Sequence, residues 1–247
     1  MSRIVSGVNP VREALSARPD QIEVVYFSTK DQSRLSSLLN ISKKARIRTS
    51  PTDKKQLDKL SGDDKHQGIV ALISDYSYSN LHEILDFSRK SEEKAFILVL
   101  DGIQDPHNLG AIIRSAESSG IHGIIIPSDR AVNVNSTVEK VSAGAVEHVK
   151  IAKVTNIART LETLKKEGLW VMGAEGGSKI SLYKSDLTVD IALVIGSEGR
   201  GIRPLVEKKC DLMFNIPMNG KVNSLNASVS SAIIMYEAVR QRLQNKK

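Results

Sequence analysis

Apolar residues arrive along this chain in two rhythms. Short runs rich in β-branched residues predict strands at Ile22–Phe27, Gly68–Ile73, Phe96–Leu100, Gly123–Pro127, Leu169–Ala174, Ile191–Ile195 and Leu212–Ile216, with a shorter one at Ala45–Arg48. Between them, apolar positions three or four apart predict helices. The first is capped by Asn9, with Pro10 at its first position and Val11, Ala14 and Leu15 following. Others open at Asp31 (carrying Leu35, Leu38 and Leu39), run from Thr52 to about Leu60, from about Leu109 to Ser119 ahead of Gly120, and over Ser136–Ala143. A further helix starts at Thr155 or Asn156 and stops at Gly168, and a long last one covers Asn226 to Leu243. Phe96-Ile97-Leu98-Val99-Leu100 has no polar alternation, as in a strand buried on both faces. Strands alternating with helices predict an α/β fold, with a parallel sheet covered on both faces in the second part and a small α/β domain in the first. A polar stretch with one short helix near Leu81–Phe87 separates them, so the expected organisation is 1–75, a linker at 76–95, and 96–247.

Composition changes this picture modestly. The 247 residues carry 35 Lys+Arg against 28 Asp+Glu, a net charge of +7. The excess divides into +4 over residues 1–75, −1 over 76–95 and +4 over 96–247. It fits a solvated basic surface or a polyanionic partner such as RNA. Aromatic residues are only 4%, so a site of many stacked bases is disfavoured. The single Cys210 excludes an intramolecular disulfide, and no Cys/His cluster points to a metal. No apolar run approaches the ~20 residues of a membrane helix, and Glu13 interrupts any leader-like start. A cytoplasmic protein without membrane attachment is expected.

Ligands of parallel α/β sheets bind beyond the carboxyl ends of the strands. Three polar, glycine-containing islands follow predicted strands directly. The first is Asp101-Gly102-Ile103-Gln104-Asp105-Pro106-His107-Asn108, with Arg114 six residues further on. The second is Gly196-Ser197-Glu198-Gly199-Arg200-Gly201, which is neither a dinucleotide fingerprint nor a P-loop. The third is Ile216-Pro217-Met218-Asn219-Gly220-Lys221-Val222-Asn223-Ser224-Leu225-Asn226. Taken singly, each has a plain explanation: Asn108, Ser224 or Asn226 as helix caps, Arg114 as a surface cation, Glu198 as a solvated turn residue.

Together, in this order and spacing, the islands resemble the three motifs of the SpoU/TrmH family of RNA methyltransferases, in the SPOUT superfamily. The resemblance extends to Ser6-Gly7-Val8-Asn9-Pro10 and His66-Gln67-Gly68-Ile69, which look like the substrate-binding domain of members that methylate a guanosine ribose in 23S rRNA. It implies a SPOUT-type sheet with a C-terminal trefoil knot, a small ribosomal-protein-like RNA-binding domain at the N-terminus, S-adenosylmethionine as cofactor, large-subunit ribosomal RNA as partner, and a homodimer. It assigns Arg114, Asn108, Glu198, Ser224 and Asn226 to catalysis. It places the cofactor near Gly196, Ile216, Leu225, Ala174 and Pro217, with Glu175 nearby. Candidate RNA contacts are Arg12, His66, Gln67 and Arg200, with Arg130 and Arg203 beside them.

The implied reaction moves a methyl group from a sulfonium to a ribose 2′-oxygen, a weak nucleophile until its proton leaves. The resemblance gives Arg114 the activating role, as a base or as a cation that stabilises the developing alkoxide or holds a phosphate. Asn108, Glu198, Ser224 and Asn226 would orient it and the ribose through hydrogen bonds. A tRNA ribose methyltransferase of the same family and a non-catalytic RNA-binding protein are the alternatives.

Overall fold

A computed structural model describes residues 2–62, 65–74, 76–221 and 224–245; Asp75 and, in the third island, Val222 and Asn223 lie outside the described residues. In chain order the elements are β1 (Ser2–Ser6), α1 (Val8–Ala17), β2 (Ile22–Ser28), α2 (Ser36–Lys44), β3 (Arg48–Thr52), α3 (Lys54–Ser61), β4 (Ile69–Ser74), α4 (Leu81–Lys90), β5 (Phe96–Asp101), α5 (Pro106–Ser118), β6 (Gly123–Pro127), α6 (Ser136–Val141), β7 (Ile151–Val154), α7 (Ile157–Lys166), β8 (Trp170–Ala174), β9 (Ile191–Gly196), α8 (Pro204–Glu207), β10 (Leu212–Phe214) and α9 (Ala227–Asn245). They form two compact units, Met1–Ser77 with Val134–His148, and Tyr78–Asn133 with Val149–Lys247. Among the described residues, no helix is long and apolar enough to cross a membrane.

The first unit is a four-stranded sheet in the order β1-β4-β2-β3, antiparallel except where β3 lies parallel to β2. Val5, Val11, Leu15, Val25, Phe27, Leu35, Leu38 and Ile69 pack together as its core. The strand expected at Ala45–Arg48 forms instead at Arg48–Thr52 and includes Pro51. Proline is tolerated there because β3 is the sheet edge and pairs only with β2. The next helix therefore starts after Asp53, whose carboxylate accepts from Gln56 N at 2.8 Å. The helix expected from Asp31 begins only at Ser36, after a 3-10 turn at Thr29–Asp31.

Residues 134–148, expected in the second domain, pack in this first unit. Charge holds them there. The Arg3 side chain, 8% exposed, pairs with Glu139 and Glu147, each 2% exposed, and Arg18 reaches Glu147 at 3.1 Å. Tyr76 lies under both guanidinium groups, 5.4 and 5.0 Å from the ring centre. Burial holds the Arg3 pKa below its ordinary value, and the charge of Glu147 opposes that.

The second unit is a six-stranded, wholly parallel sheet in the order β10-β8-β9-β5-β6-β7. Every residue of β5 is buried, as the unbroken apolar run requires. On one face, Ile84 and Leu85 of α4 join Leu161 and Leu164 of α7 against Ile97, Val99, Val171 and Val194. The stretch expected as a linker thus contributes core residues through α4, capped by Asn80, which accepts from Glu83 N at 3.0 Å. The helices α5 and α9 pack on each other. Short β1, β7 and α8 carry too few residues for a periodic signal and are additions to the expected elements.

Candidate active site

Strand register brings the three islands together. Asp101, the last residue of β5, lies opposite Gly196, the last of β9. Ala174 of β8 pairs with Ile195 on one side and Phe214 on the other. The loops leaving β5, β9 and β10 therefore open at one end of the sheet, and the connections from neighbouring β5 and β9 run to opposite sides, toward β6 and β10.

The loop after β9 folds back tightly. Ser197 N donates to Gly201 O at 3.1 Å and Gly201 N to Ser197 O at 2.9 Å. A Cβ at position 196 would stand 2.1 Å from Gly201 C and 2.3 Å from Ile202 N, so only glycine fits. This turn presents Glu198 to both neighbouring islands. Its Oε1 accepts from Asn108 Nδ2 and Asn226 Nδ2, each at 2.7 Å, and from Ala227 N at 3.4 Å. Asn226 Nδ2 also donates to Asn108 Oδ1 at 2.9 Å, closing a triangle. Asn108 and Ala227 lie in the first turns of α5 and α9, so the carboxylate also faces two positive helix ends. Asn108 is not the cap of α5. Asp105 takes that place, accepting from His107 N at 2.8 Å with Pro106 next, and this leaves the Asn108 amide for Glu198. Asn226 does cap α9, accepting from Ser228 N at 2.9 Å.

Arg114 does not join this cluster. It is exposed on α5, and its side chain makes no hydrogen bond or ion pair among the described residues. Six residues advance ~9 Å along a helix and leave the side chain ~120° around it, so Arg114 and Asn108 project from different faces. Within one chain, Asn108, Glu198 and Asn226 bond one another and not Arg114, where the expectation had them orient it.

Two cavities flank the triangle and share Ser197 and Glu198. The first, about 470 Å³, is lined by Ala174, Gly196, Ile216, Ser224 and Leu225, with Glu175 among its walls. Pro217 is outside that lining and Met218 takes its place, because successive residues of an extended segment face opposite ways. The second, about 360 Å³, is lined by Asn108, Asp129, Arg130, Arg200 and Arg203. Arg203 is already committed: its Nε and backbone N donate to buried Asp101, each at 2.8 Å. Arg130 and Arg200 make no ion pair among the described residues.

In the first unit, the two N-terminal motifs meet. Gln67 Oε1 accepts from Val8 N at 2.9 Å at the start of α1. His66 is 3% exposed and both ring nitrogens are used. Gly68 N donates to Nδ1 at 2.9 Å, which leaves Nε2–H to donate to Asp58 at 2.9 Å. His66 is thus a turn-forming residue and is corrected as an RNA contact; Gln67 is exposed but holds α1. Arg12 is exposed and donates to Asn9 at 3.1 Å. A stronger cationic feature was missed. Lys43, Lys44, Arg46, Arg48, Lys54 and Lys55 are all exposed, without ion pairs among the described residues, along α2, edge strand β3 and α3. The run Lys43-Lys44-Ala45-Arg46-Ile47-Arg48 was the available signal.

A family model for the SpoU rRNA methylase family matches residues 95–236, and one for the substrate-binding domain of RNA 2′-O ribose methyltransferases matches residues 4–79. The chain belongs to the SpoU/TrmH family of RNA 2′-O-methyltransferases. It is 42% identical over 243 residues to the 23S rRNA (guanosine-2′-O-)-methyltransferase RlmB of Ralstonia nicotianae, covering 98% of this chain and 96% of that one. It is 40% identical over 238 residues to YacO of Bacillus subtilis, named for the TrmH family of tRNA/rRNA methyltransferases, covering 96% and 95%. The SpoU methyltransferase AviRb from Streptomyces viridochromogenes, solved with AdoMet, shares the fold at a TM-score of 0.83 and 23% identity, covering 98% of this chain and 91% of that one.

S-adenosylmethionine is the methyl donor of the SpoU/TrmH family. The larger cavity fits it. Its volume lies within the ~300–1,000 Å³ of small-ligand sites. Ala174, Ile195, Ile216, Met218 and Leu225 offer apolar wall to a purine. Glu175 and Glu198 offer negative charge to an ammonium and a sulfonium.

Proposed function

We propose that this SpoU/TrmH enzyme methylates the ribose 2′-hydroxyl of a guanosine in 23S ribosomal RNA, in the cytoplasm and as a homodimer. The observation that carries the reading is the Asn108–Glu198–Asn226 triangle set between two cavities, one suited to the methyl donor and one lined by Arg130 and Arg200, which make no ion pair among the described residues. The guanosine and 23S assignments rest on the 42% identity to an RlmB over nearly the whole of both chains. The tRNA alternative is supported by relatives such as YacO, named for both RNA classes.

In this reading the bound cofactor supplies a methyl group already activated by its positive sulfur. The residues of the chain do the rest. Gly196, Ile216, Leu225 and Ala174 hold the cofactor, and Glu198 ties together the three loops that shape the cavity. Ser224, on the same wall, faces the ribose. Holding the 2′-oxygen in line with the transferred group supplies much of the rate. Arg114 acts as a cation on the adjacent phosphate or the developing alkoxide. The first unit grips RNA through Arg12 and the exposed cations of α2, β3 and α3. The C-terminal segment carries the family's trefoil knot. Support for the homodimer comes from α9, where Val229, Tyr236 and Leu243 recur every seven residues at 46%, 50% and 60% exposure.

The test is transfer of labelled methyl groups to unmodified 23S rRNA and tRNA transcripts, followed by nucleoside analysis. 2′-O-methylguanosine in 23S rRNA is the expected product, and label entering only tRNA would overturn the substrate assignment. Arg114→Ala should lower transfer by about 100-fold or more while cofactor affinity stays unchanged.

A further inference from the structure

The smaller cavity contains an acidic side chain that the methyl transfer does not require. Four carboxylates line it: Asp101, Asp105, Asp129 and Glu198. Three are occupied. Asp101 binds Arg203, Asp105 caps α5, and Glu198 holds the two asparagines. Asp129 alone of the four makes no hydrogen bond or ion pair among the described residues, although Arg130 and Arg200 line the same space. Asp129 is exposed, so its carboxylate is open to a ligand, and beside a polyanionic substrate it repels phosphate unless the substrate brings donors to it.

Its mounting is firm. Asp129 and Arg130 follow β6 in a loop anchored at both sides, by Ser128 N to Val154 O at 2.9 Å and Val132 N to Ile103 O at 2.9 Å. Arg130 holds φ 58°, a left-handed backbone that costs a non-glycine residue energy and that marks functional turns. Ser197 and Glu198 line both this cavity and the cofactor cavity, so a nucleotide here can present its ribose at the boundary between the two.

Resting on the reading of the chain as an RNA ribose methyltransferase, we infer that Asp129 selects the target base, with its carboxylate accepting from guanine N1–H and N2–H while Arg130 and Arg200 hold the flanking phosphate. An ionised carboxylate only accepts hydrogen bonds, and it does so on two oxygens. Guanine is the one standard base whose pairing edge offers two adjacent donors. Adenine and cytosine turn an acceptor toward that position, and uracil offers a single donor between two acceptors. Bases taken out of a stack are read on this edge. The cavity holds about 360 Å³, enough for a single extruded nucleotide.

The experiment uses full-length protein, S-adenosylmethionine and unmodified 23S rRNA and tRNA transcripts, with nucleosides resolved after digestion. Wild type should form 2′-O-methylguanosine, and Asp129→Asn and Asp129→Ala should form it roughly 10- to 100-fold more slowly. Cofactor affinity by calorimetry should not change, since Asp129 is not in the cofactor lining. In a second measurement, guanosine 5′-monophosphate should bind wild type more tightly than adenosine 5′-monophosphate, and Asp129→Ala should lose that preference. Wild-type rates in both Asp129 variants, or no preference between the two nucleotides in wild type, would overturn the role of Asp129. Methylation of a nucleoside other than guanosine would overturn it too and leave the methyltransferase reading standing. Cofactor binding without transfer to any RNA would overturn both.

Discussion

Gly196→Ala is the sharpest single perturbation of the site. The added methyl carbon would lie 2.1 Å from Gly201 C and 2.3 Å from both Gly201 O and Ile202 N, where ordinary contact begins at 3.4 Å. All three atoms are backbone, so no side chain can swing aside. The loop from Ser197 to Gly201 must retreat by about 1 Å, which strains its two cross-bonds at 3.1 and 2.9 Å. Overpacking costs ~1–3 kcal/mol and each weakened hydrogen bond ~1 kcal/mol. Against the ~5–15 kcal/mol of a typical domain, the variant still folds. Function suffers more, because the same movement displaces Glu198 from Asn108 and Asn226 and reshapes the cofactor wall. A misplacement of ~1 Å at a catalytic constellation costs on the order of 100-fold in rate. Gly177→Ala is the matched control, since a methyl group there meets no atom within 4 Å. Calorimetry with S-adenosylmethionine should show affinity weakened by about 10-fold or more in Gly196→Ala and unchanged in Gly177→Ala. A Gly196→Ala protein that binds cofactor like wild type would refute the steric argument, and equal damage from both variants would show that the loss does not come from the backbone contact at position 196.

Three further outcomes are expected. Arg3→Met strands Glu139 in the first unit and leaves Glu147 with Arg18 alone, where both acids are 2% exposed, and should cost ~3–5 kcal/mol in urea titration; a loss under ~1 kcal/mol would mean Glu139 is neutralised another way. His122 is buried and accepts from Phe96 N at 3.0 Å, and burial above all, with Arg242 adding to it, holds its pKa below the ordinary value. The unfolded chain therefore binds the extra proton first, so stability present above pH ~6.5 declines as pH falls through the folded pKa; a His122 ring titrating at or above ~6.5 by NMR would contradict this. Replacing Arg46, Arg48, Lys54 and Lys55 with Gln should weaken RNA binding and flatten its dependence on log salt by up to ~3 units, and an unchanged slope would exclude that strip from the interface.

Much of the second unit was legible because parallel-sheet strands announce themselves. Phe96–Leu100 and Ile191–Ile195 are apolar without interruption, and the polar residues that follow had to lie at strand ends. The elements that escaped notice were short, like β7, or depended on position in the sheet, like β3 with its proline at an edge. Packing between residues far apart was illegible. Nothing near α6 announces that Glu139 will meet Arg3, because the pair is joined only when β1 and the 134–148 segment fold together.

The candidate site shows the same limit in its charges. Asn108 and Arg114 stand six residues apart in one motif, but the 3.6-residue period puts them on different faces. His66 looked available to RNA until both ring nitrogens were accounted for inside its own turn. Arg200 and Arg203 stand three residues apart, equal in the net charge of +7 and equal in any motif reading. Only the register of β5 with β9 separates them. It sets buried Asp101 beside the loop after β9, where the acid takes Arg203 and leaves Arg200 without an ion pair among the described residues. A basic residue's role is decided by whether the fold supplies its acid. Asp129 is the counterpart, an acid that makes no ion pair among the described residues, and on that ground we infer its donor to be one carried by the substrate.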